Sequence, residues 1–217
     1  MVHISDGILS LPVLAAGWAI TFALLAVAIW WSKKKGNLEE EIPKLSVMTA
    51  AFFVASLVHI PVGPTSAHFI LNGLVGVILG IFAFPAIFIG VALQAFLFQH
   101  GGVSTIGINT ANIGISGLIA FVIFKWGNKV GMLVMRKELS VWIFGALAGG
   151  MAVFLAVIFT AFSLILSSKE AFFAIAIVMT IAHIPIIIIE AIVTGSIVVF
   201  LLKVKPELIG GLGDDKK

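Results

Sequence analysis

Cysteine is absent from the 217 residues, and only 11% of them are charged. The first absence excludes disulfides, thiolate metal sites, iron–sulfur clusters and cysteine nucleophiles together. It also leaves the redox compartment unread. The second excludes a water-soluble domain, which carries about 25% charged residues. With 61% hydrophobic residues and a mean hydropathy of +1.22, the chain reads as an integral membrane protein. Other absences narrow the function. No G-x-x-x-x-G-K-[ST] phosphate loop occurs, so ATP hydrolysis would have to come from another chain. No H-E-x-x-H motif and no Asp/Glu–His cluster spaced for water activation occurs, which weighs against an intramembrane metalloenzyme. No repeated pair of broken helices supports a standalone secondary carrier. No basic stretch is interleaved with aromatics as a nucleic-acid groove requires.

What is present is an all-α pattern of about seven membrane spans in a single domain, residues 1–217. A leader covers 1–10, a helical bundle 11–203 and a tail 204–217. The spans fall near 11–31, 45–60, 67–82, from a turn at Phe84–Pro85 to Phe98, 105–125, 140–166 and 171–203. The last is too long for one straight crossing, and Pro185 is expected to kink or break it. Twelve of the thirteen basic residues fall on one side of this arrangement; Lys169 alone falls on the other. The positive-inside rule then puts the N-terminus outside and the C-terminus in the cytoplasm, in a multi-pass protein of the cell membrane.

Polar chemistry concentrates in residues 59–73, HIPVGPTSAHFILNG. Pro61, Gly63 and Pro64 stop a regular helix from crossing this stretch, which predicts a turn or re-entrant loop. Thr65 or Ser66 is expected to cap a helix restarting near Ala67, with His68 facing inward from its first turn. Such irregular backbone persists at membrane depth only where protein buries it or a polar cavity meets it.

Three polar elements share the outer face: the leader MVHISDGILS with His3, the 59–73 stretch with His68, and the loop QHGG with His100. Residues 2–10 reach roughly 30 Å when extended, far enough to fold back between the helices. A terminal amine followed closely by histidine offers amine, amide and imidazole nitrogens in fused chelate rings. That planar nitrogen set suits Ni(II) or Cu(II) and accepts Co(II), with His68 as a source of the remaining nitrogen.

The leader H-I-S-D-G-I-L-S, the stretch G-P-T-S-A-H-F-I-L-N-G, the loop Q-A-F-L-F-Q-H-G-G and the end H-I-P-I-I-I-I-E with K-V-K-P-E-L together resemble the CbiM/NikM family. Its members are substrate-binding membrane subunits of energy-coupling-factor transporters for cobalt and nickel. The resemblance covers nearly the whole chain. It implies seven helices and an N-terminal segment tucked into the centre to hold the transported ion. It also implies a transmembrane coupling subunit, two ABC ATPase subunits and often a small accessory membrane subunit as partners. No organic cofactor is expected. In the family the chain begins Met-His, and the amine, the histidine amide, its imidazole and a loop histidine bind the metal. His3 and His68 match those two histidines, each displaced by one position. Removal of Met1 would leave Val2 as the terminal amine and restore the family spacing. With Met1 retained, its amine, two amides and His3 would complete four nitrogens without His68. A looser arrangement of His3, His68 and the amine is the third possibility.

Weaker candidates surround this set. Asp6 is expected to orient the leader or His3, because a ligating imidazole usually donates its second nitrogen to an acceptor; capping a turn is the plainer role. His59, Thr65, Ser66, His100, Asn109, Asn72, Gln94 and Asn112 are candidates for the outer ligand shell or for satisfying buried backbone. His183 and Glu190 lie seven apart, on one face of a continuous helix, as a structural pair or a contact with the coupling subunit. Ala51 and Ala55 form a small-xxx-small face suited to a partner helix. Gly145, Gly149 and Gly150 suit close packing within the bundle.

Overall fold

The computed structural model describes residues 3–35, 38–62, 65–167, 172–210 and 212. It is a helical bundle of α1 (Leu11–Lys35), α2 (Leu38–Ala55), α3 (Asn72–Leu79), α4 (Ala83–Phe98), α5 (Ile106–Gly131), α6 (Lys137–Ser167), α7 (Phe173–Ala182) and α8 (Ile184–Val204). Two short strands, β1 (His59–Val62) and β2 (Thr65–His68), interrupt it. Among the described residues, five stretches are long and apolar enough to cross a membrane: 11–34, 72–98, 106–131, 137–167 and 184–204. Apolar side chains cover the outside, among them Phe22, Val54, Phe96, Phe162, Ile188 and Phe200, as a lipid-facing surface requires. At the end of the bundle away from the leader, Lys34 lies over the Trp30 ring and Lys129 over the Trp126 ring, each 5.4 Å from the centroid. Paired aromatic and basic side chains of this kind anchor a helix at the lipid headgroups.

Residues 72–98 read by length as one span, but their packing makes them two legs. Asn72 contacts Ile113 and Ser116 of α5, and Gly80 lies against Phe121, one to two turns further along. After a 3₁₀ turn at Gly80–Phe82, Phe84 is back beside Gly114. The reversal therefore sits before Phe84–Pro85 rather than at it. Gly80 supplies the positive φ of 58° that it needs. Pro85 falls in the first turn of α4, where its missing N–H costs nothing. The short leg α3 approaches its neighbours closely; a Cβ at Gly73 would lie 2.6 Å from the Gly149 Cα. Every residue of α3 is buried.

The 59–73 stretch departs from expectation in one respect. Residues 65–68 do not cap or begin a helix; they are extended and pair antiparallel with 59–62, His59 opposite His68. Ile60 precedes Pro61 and is driven to extended backbone, and Val62 and Thr65 are β-branched, so a hairpin satisfies main-chain groups that a helix could not. The helix restarts only at Asn72.

Near Pro185 the last crossing breaks as expected. His183 joins α7 to α8, with its N–H on the Met179 and Thr180 carbonyls and its own carbonyl accepting from Ile187. Beyond Val204 the chain turns back. Ile209 is buried, and a Cβ on Gly210 would lie 2.7 Å from the Ile78 carbonyl oxygen, so this segment closes off the end of α3.

Candidate metal site

The leader folds back into the bundle, and its backbone is held residue by residue. Ile4 N–H donates to Asn109 Oδ1 and its carbonyl accepts from Asn109 Nδ2, both at 3.0 Å, so one amide side chain holds both main-chain polar groups of one residue. Thr105 Oγ1 adds a 2.7 Å bond to the same carbonyl. Asp6 accepts from the Val103 N–H at 3.0 Å and the Ser104 N–H at 2.9 Å, pinning the leader to the loop after His100. Gly101, at φ 83°, and Gly102 leave the room for this; a Cβ on Gly101 would lie 2.8 Å from Asn109 Nδ2. Ser10 N–H closes the segment on Ser167 Oγ at 3.1 Å.

The result is that His3 and His68, 65 residues apart, meet. Both are buried, and His3 Nδ1 lies 3.2 Å from His68 Nε2. His68 Nδ1 sits 2.9 Å from the Phe69 carbonyl, an acceptor only, so Nδ1 carries the proton and Nε2 presents its lone pair to His3. His3 Nδ1 then donates its own proton into the gap. Nδ1 is also the ring nitrogen that closes a six-membered chelate with the residue's own amide nitrogen. Two neighbouring ligands of a planar centre with metal–nitrogen bonds of about 2.0 Å stand about 2.8 Å apart. The two imidazoles are therefore within a few tenths of an ångström of a shared cation's geometry, with one proton where the cation would sit. Among the described residues no three His, Cys, Asp or Glu side chains converge on one point. Further donors must come from backbone or terminus. Met1 and Val2 lie outside the described residues.

His100 stacks on His68 with ring centroids 6.2 Å apart and 12° between planes, covering the pair from the loop side. Gln94 lies behind His3; its Nε2 donates to Ser56 Oγ at 2.9 Å, while its buried Oε1 has no partner among the described residues. His3 Nε2 is likewise without one. Gln94 is near enough for its side chain to act on the His3 ring, favouring its charged form against the burial that opposes it. Of the other candidates, Asp6 and Asn109 hold the leader rather than the His3 ring. Asn112 bonds Ser163 of α6, and Asn72 Nδ2 bridges α5 and α6 through Ile113, Ser116 and Ala152. The side chains of His59, Thr65 and Ser66 lie outside what is described. Thr105 was not anticipated; its place before the α5 asparagines was the available signal.

His183 and Glu190 do not pair. His183 donates from Nδ1 to the Met179 carbonyl at 2.7 Å. The fully buried Glu190 carboxylate instead accepts from the N–H groups of Ile70 and Leu71, the latter at 2.9 Å. These donors lie just before Asn72, the first helical residue of α3. Leu71 is left-handed, at φ 54°, a conformation costing about 1–2 kcal/mol without such support. Glu190 thus fixes the backbone two residues beyond His68. Ala51 and Ala55 are half-buried on α2, and Gly145 and Gly149 of α6 meet Gly195 and Thr194 of α8.

Residues 3–208 match the model of the CbiM family, described as a cobalt uptake substrate-specific transmembrane region. The chain belongs to this family. It is 32% identical to a putative metal transport protein of Haemophilus influenzae over 95% of this chain and 96% of that one. A fused nickel transport protein, NikMN, of Rhodobacter capsulatus is also 32% identical, over 63% of this chain and 40% of its own length. A crystal structure of a truncated transition metal transporter superposes with a TM-score of 0.77 at 27% identity, covering 93% of this chain and 98% of that one. Membership places this multi-pass chain in a family of cobalt and nickel transport proteins, of which the NikMN relative is a fused member.

Burial, then the nearby His68 and His100 rings, hold the His3 imidazole well below its ordinary value of 6.5. At neutral pH the His3 imidazole is therefore uncharged. A free leader takes up a proton as pH falls through 6.5 and the docked one does not, so docking is full above 6.5 and weakens progressively below it. The protection factor of the Ile4 amide, taken against its intrinsic exchange rate at each pH, is expected to fall over that range. Protection unchanged far below 6.5 would contradict a buried, neutral His3.

Proposed function

We propose that this chain is the substrate-specific subunit of an energy-coupling-factor transporter, capturing Ni(II) or Co(II) outside the cell for ATP-driven uptake. The reading is carried by one observation: two buried imidazole nitrogens 3.2 Å apart, one of them on a leader long enough to bring its terminal amine to the same point. The transported ion is held by the terminal amine, the His3 amide and Nδ1, and His68 Nε2. If Met1, two amides and His3 filled all four planar positions, His68 Nε2 would have no equatorial place; its closeness to His3 favours removal of Met1 and a Val2 amine. The leader faces outside, the basic ends face the cytoplasm, and the membrane is the cytoplasmic membrane. A coupling subunit, two ABC ATPases and a small accessory subunit complete the machine. Asp6, Asn109 and Thr105 hold the leader in place. His100 covers the site, and Ala51 and Ala55 face the coupling subunit. Neither enzymatic chemistry nor an organic cofactor has a part in this reading.

Release inward requires the nitrogen cage to open, most simply by withdrawal of the leader. Cross-linking the leader to the 59–73 hairpin is expected to abolish ATP-driven uptake of Ni(II) and Co(II) in the full complex while preserving binding. Uptake at the uncross-linked rate would overturn the mechanism.

A further inference from the structure

Below the leader, between α6 and α7, lies a cavity of about 410 Å³. His3, Ile4 and Ile8 line it from the leader, Thr160 and Leu164 from α6, and His183 from the junction of α7 with α8. Its walls are otherwise almost wholly apolar, so a buried imidazole there requires a reason. His183 is 1% exposed, and its two nitrogens are treated differently. Nδ1 faces the Met179 carbonyl at 2.7 Å, and a carbonyl only accepts, so Nδ1 holds the proton. Nε2 is therefore a bare lone pair, buried, with no hydrogen-bond partner among the described residues. This is the arrangement of a metal-ligating histidine, in which a backbone acceptor on one nitrogen fixes the tautomer and points the other at the ion. His68 carries the same device, with Phe69 in the place of Met179.

Depth gives the second argument. His3 is fastened at the level of Asn109 through Ile4, within the first turn of α5. Asn112 meets Ser163 of α6 just beneath it, and the α6 wall of the cavity runs from Leu164 to Thr160. His183 stands on the far wall, before Ile187 reaches Gly150 deeper still. The cavity thus joins an imidazole of the capture pair to a second imidazole nearer the middle of the bundle.

We propose that His183 Nε2 is a relay ligand for the transported divalent cation, receiving it from the His3–His68 pair as the ion moves inward. The inference rests on the capture-site reading above. No proton need be removed from His183, because its ligating nitrogen is already bare. One imidazole plus water makes a weak site, which suits a point of passage rather than storage.

Purified chain titrated with Ni(II) is expected to bind one ion tightly and a second at least 100-fold more weakly. His183→Asn is the incisive variant: its amide nitrogen keeps the bond to the Met179 carbonyl, and nothing replaces Nε2. It should keep the tight ion, lose the weak one, and take up Ni(II) at least tenfold more slowly in the complete ATP-driven complex. His183→Ala should do the same if it remains folded. A single ion in the wild type, or wild-type uptake by His183→Asn, would overturn the relay. His3→Ala retaining the tight ion would instead overturn the capture site, leaving the two failures distinguishable.

Discussion

Replacing His68 with alanine is expected to weaken Ni(II) binding by on the order of 10²–10³-fold. Four-ligand metal sites are worth about 10–16 kcal/mol in all, so one nitrogen accounts for roughly 3–4 kcal/mol. His68 has no ready replacement: His100 stacks on its ring, and the Gln94 amide is committed to Ser56 Oγ. His3→Ala should lose more, because it also breaks the chelate ring that fixes the leader's nitrogens in one plane. Isothermal titration of both variants checks this. Ni(II) affinity unchanged in His68→Ala would remove that nitrogen from the site.

The second large effect comes from a residue that touches no metal. Glu190→Ala leaves the buried Ile70 N–H without an acceptor, at about 1–3 kcal/mol, removes the acceptor of the part-buried Leu71 N–H, and withdraws support from the left-handed Leu71. Its unfolding temperature in detergent should drop by more than that of any lipid-facing variant, such as Ile188→Ala. Affinity should fall as well, since Ile70 is two residues from His68 and the hairpin would lose its anchor. Glu190→Gln keeps one acceptor oxygen and should fall between. A Glu190→Ala protein as stable as the wild type would mean that the bundle satisfies these donors another way.

Much of this architecture was legible in the sequence, for identifiable reasons. Spans declare themselves by the absence of charge, and the break at Pro185 follows from its missing N–H. His3 and His68 stood out as the nitrogen donors nearest the terminus and the broken 59–73 backbone. The failures share a cause. Whether 65–68 coils or extends depends on pairing with 59–62, and that partner is supplied by the fold rather than by local propensity. The turn was sought at Phe84–Pro85 because proline interrupts helices, yet a first-turn proline does not, and Gly80 made the reversal. Helical spacing puts Glu190 on one face with His183, as a structural pair or a contact with the coupling subunit, whereas its hydrogen-bond partners lie 119 and 120 residues earlier. No periodicity within one helix carries that information. Asp6 and Asn109 stand out in the sequence only as polar residues in an oily chain, and what each holds is visible only with the leader folded beside them.

The most direct test of the capture site is nickel K-edge X-ray absorption on the loaded chain, with the mature N-terminus fixed by intact mass on the same sample. The expected result is a chain beginning at Val2 and a planar centre of four nitrogens, two of them imidazole. A single imidazole with Met1 retained would place the ion on the leader alone. A six-coordinate, oxygen-rich centre would contradict the site altogether.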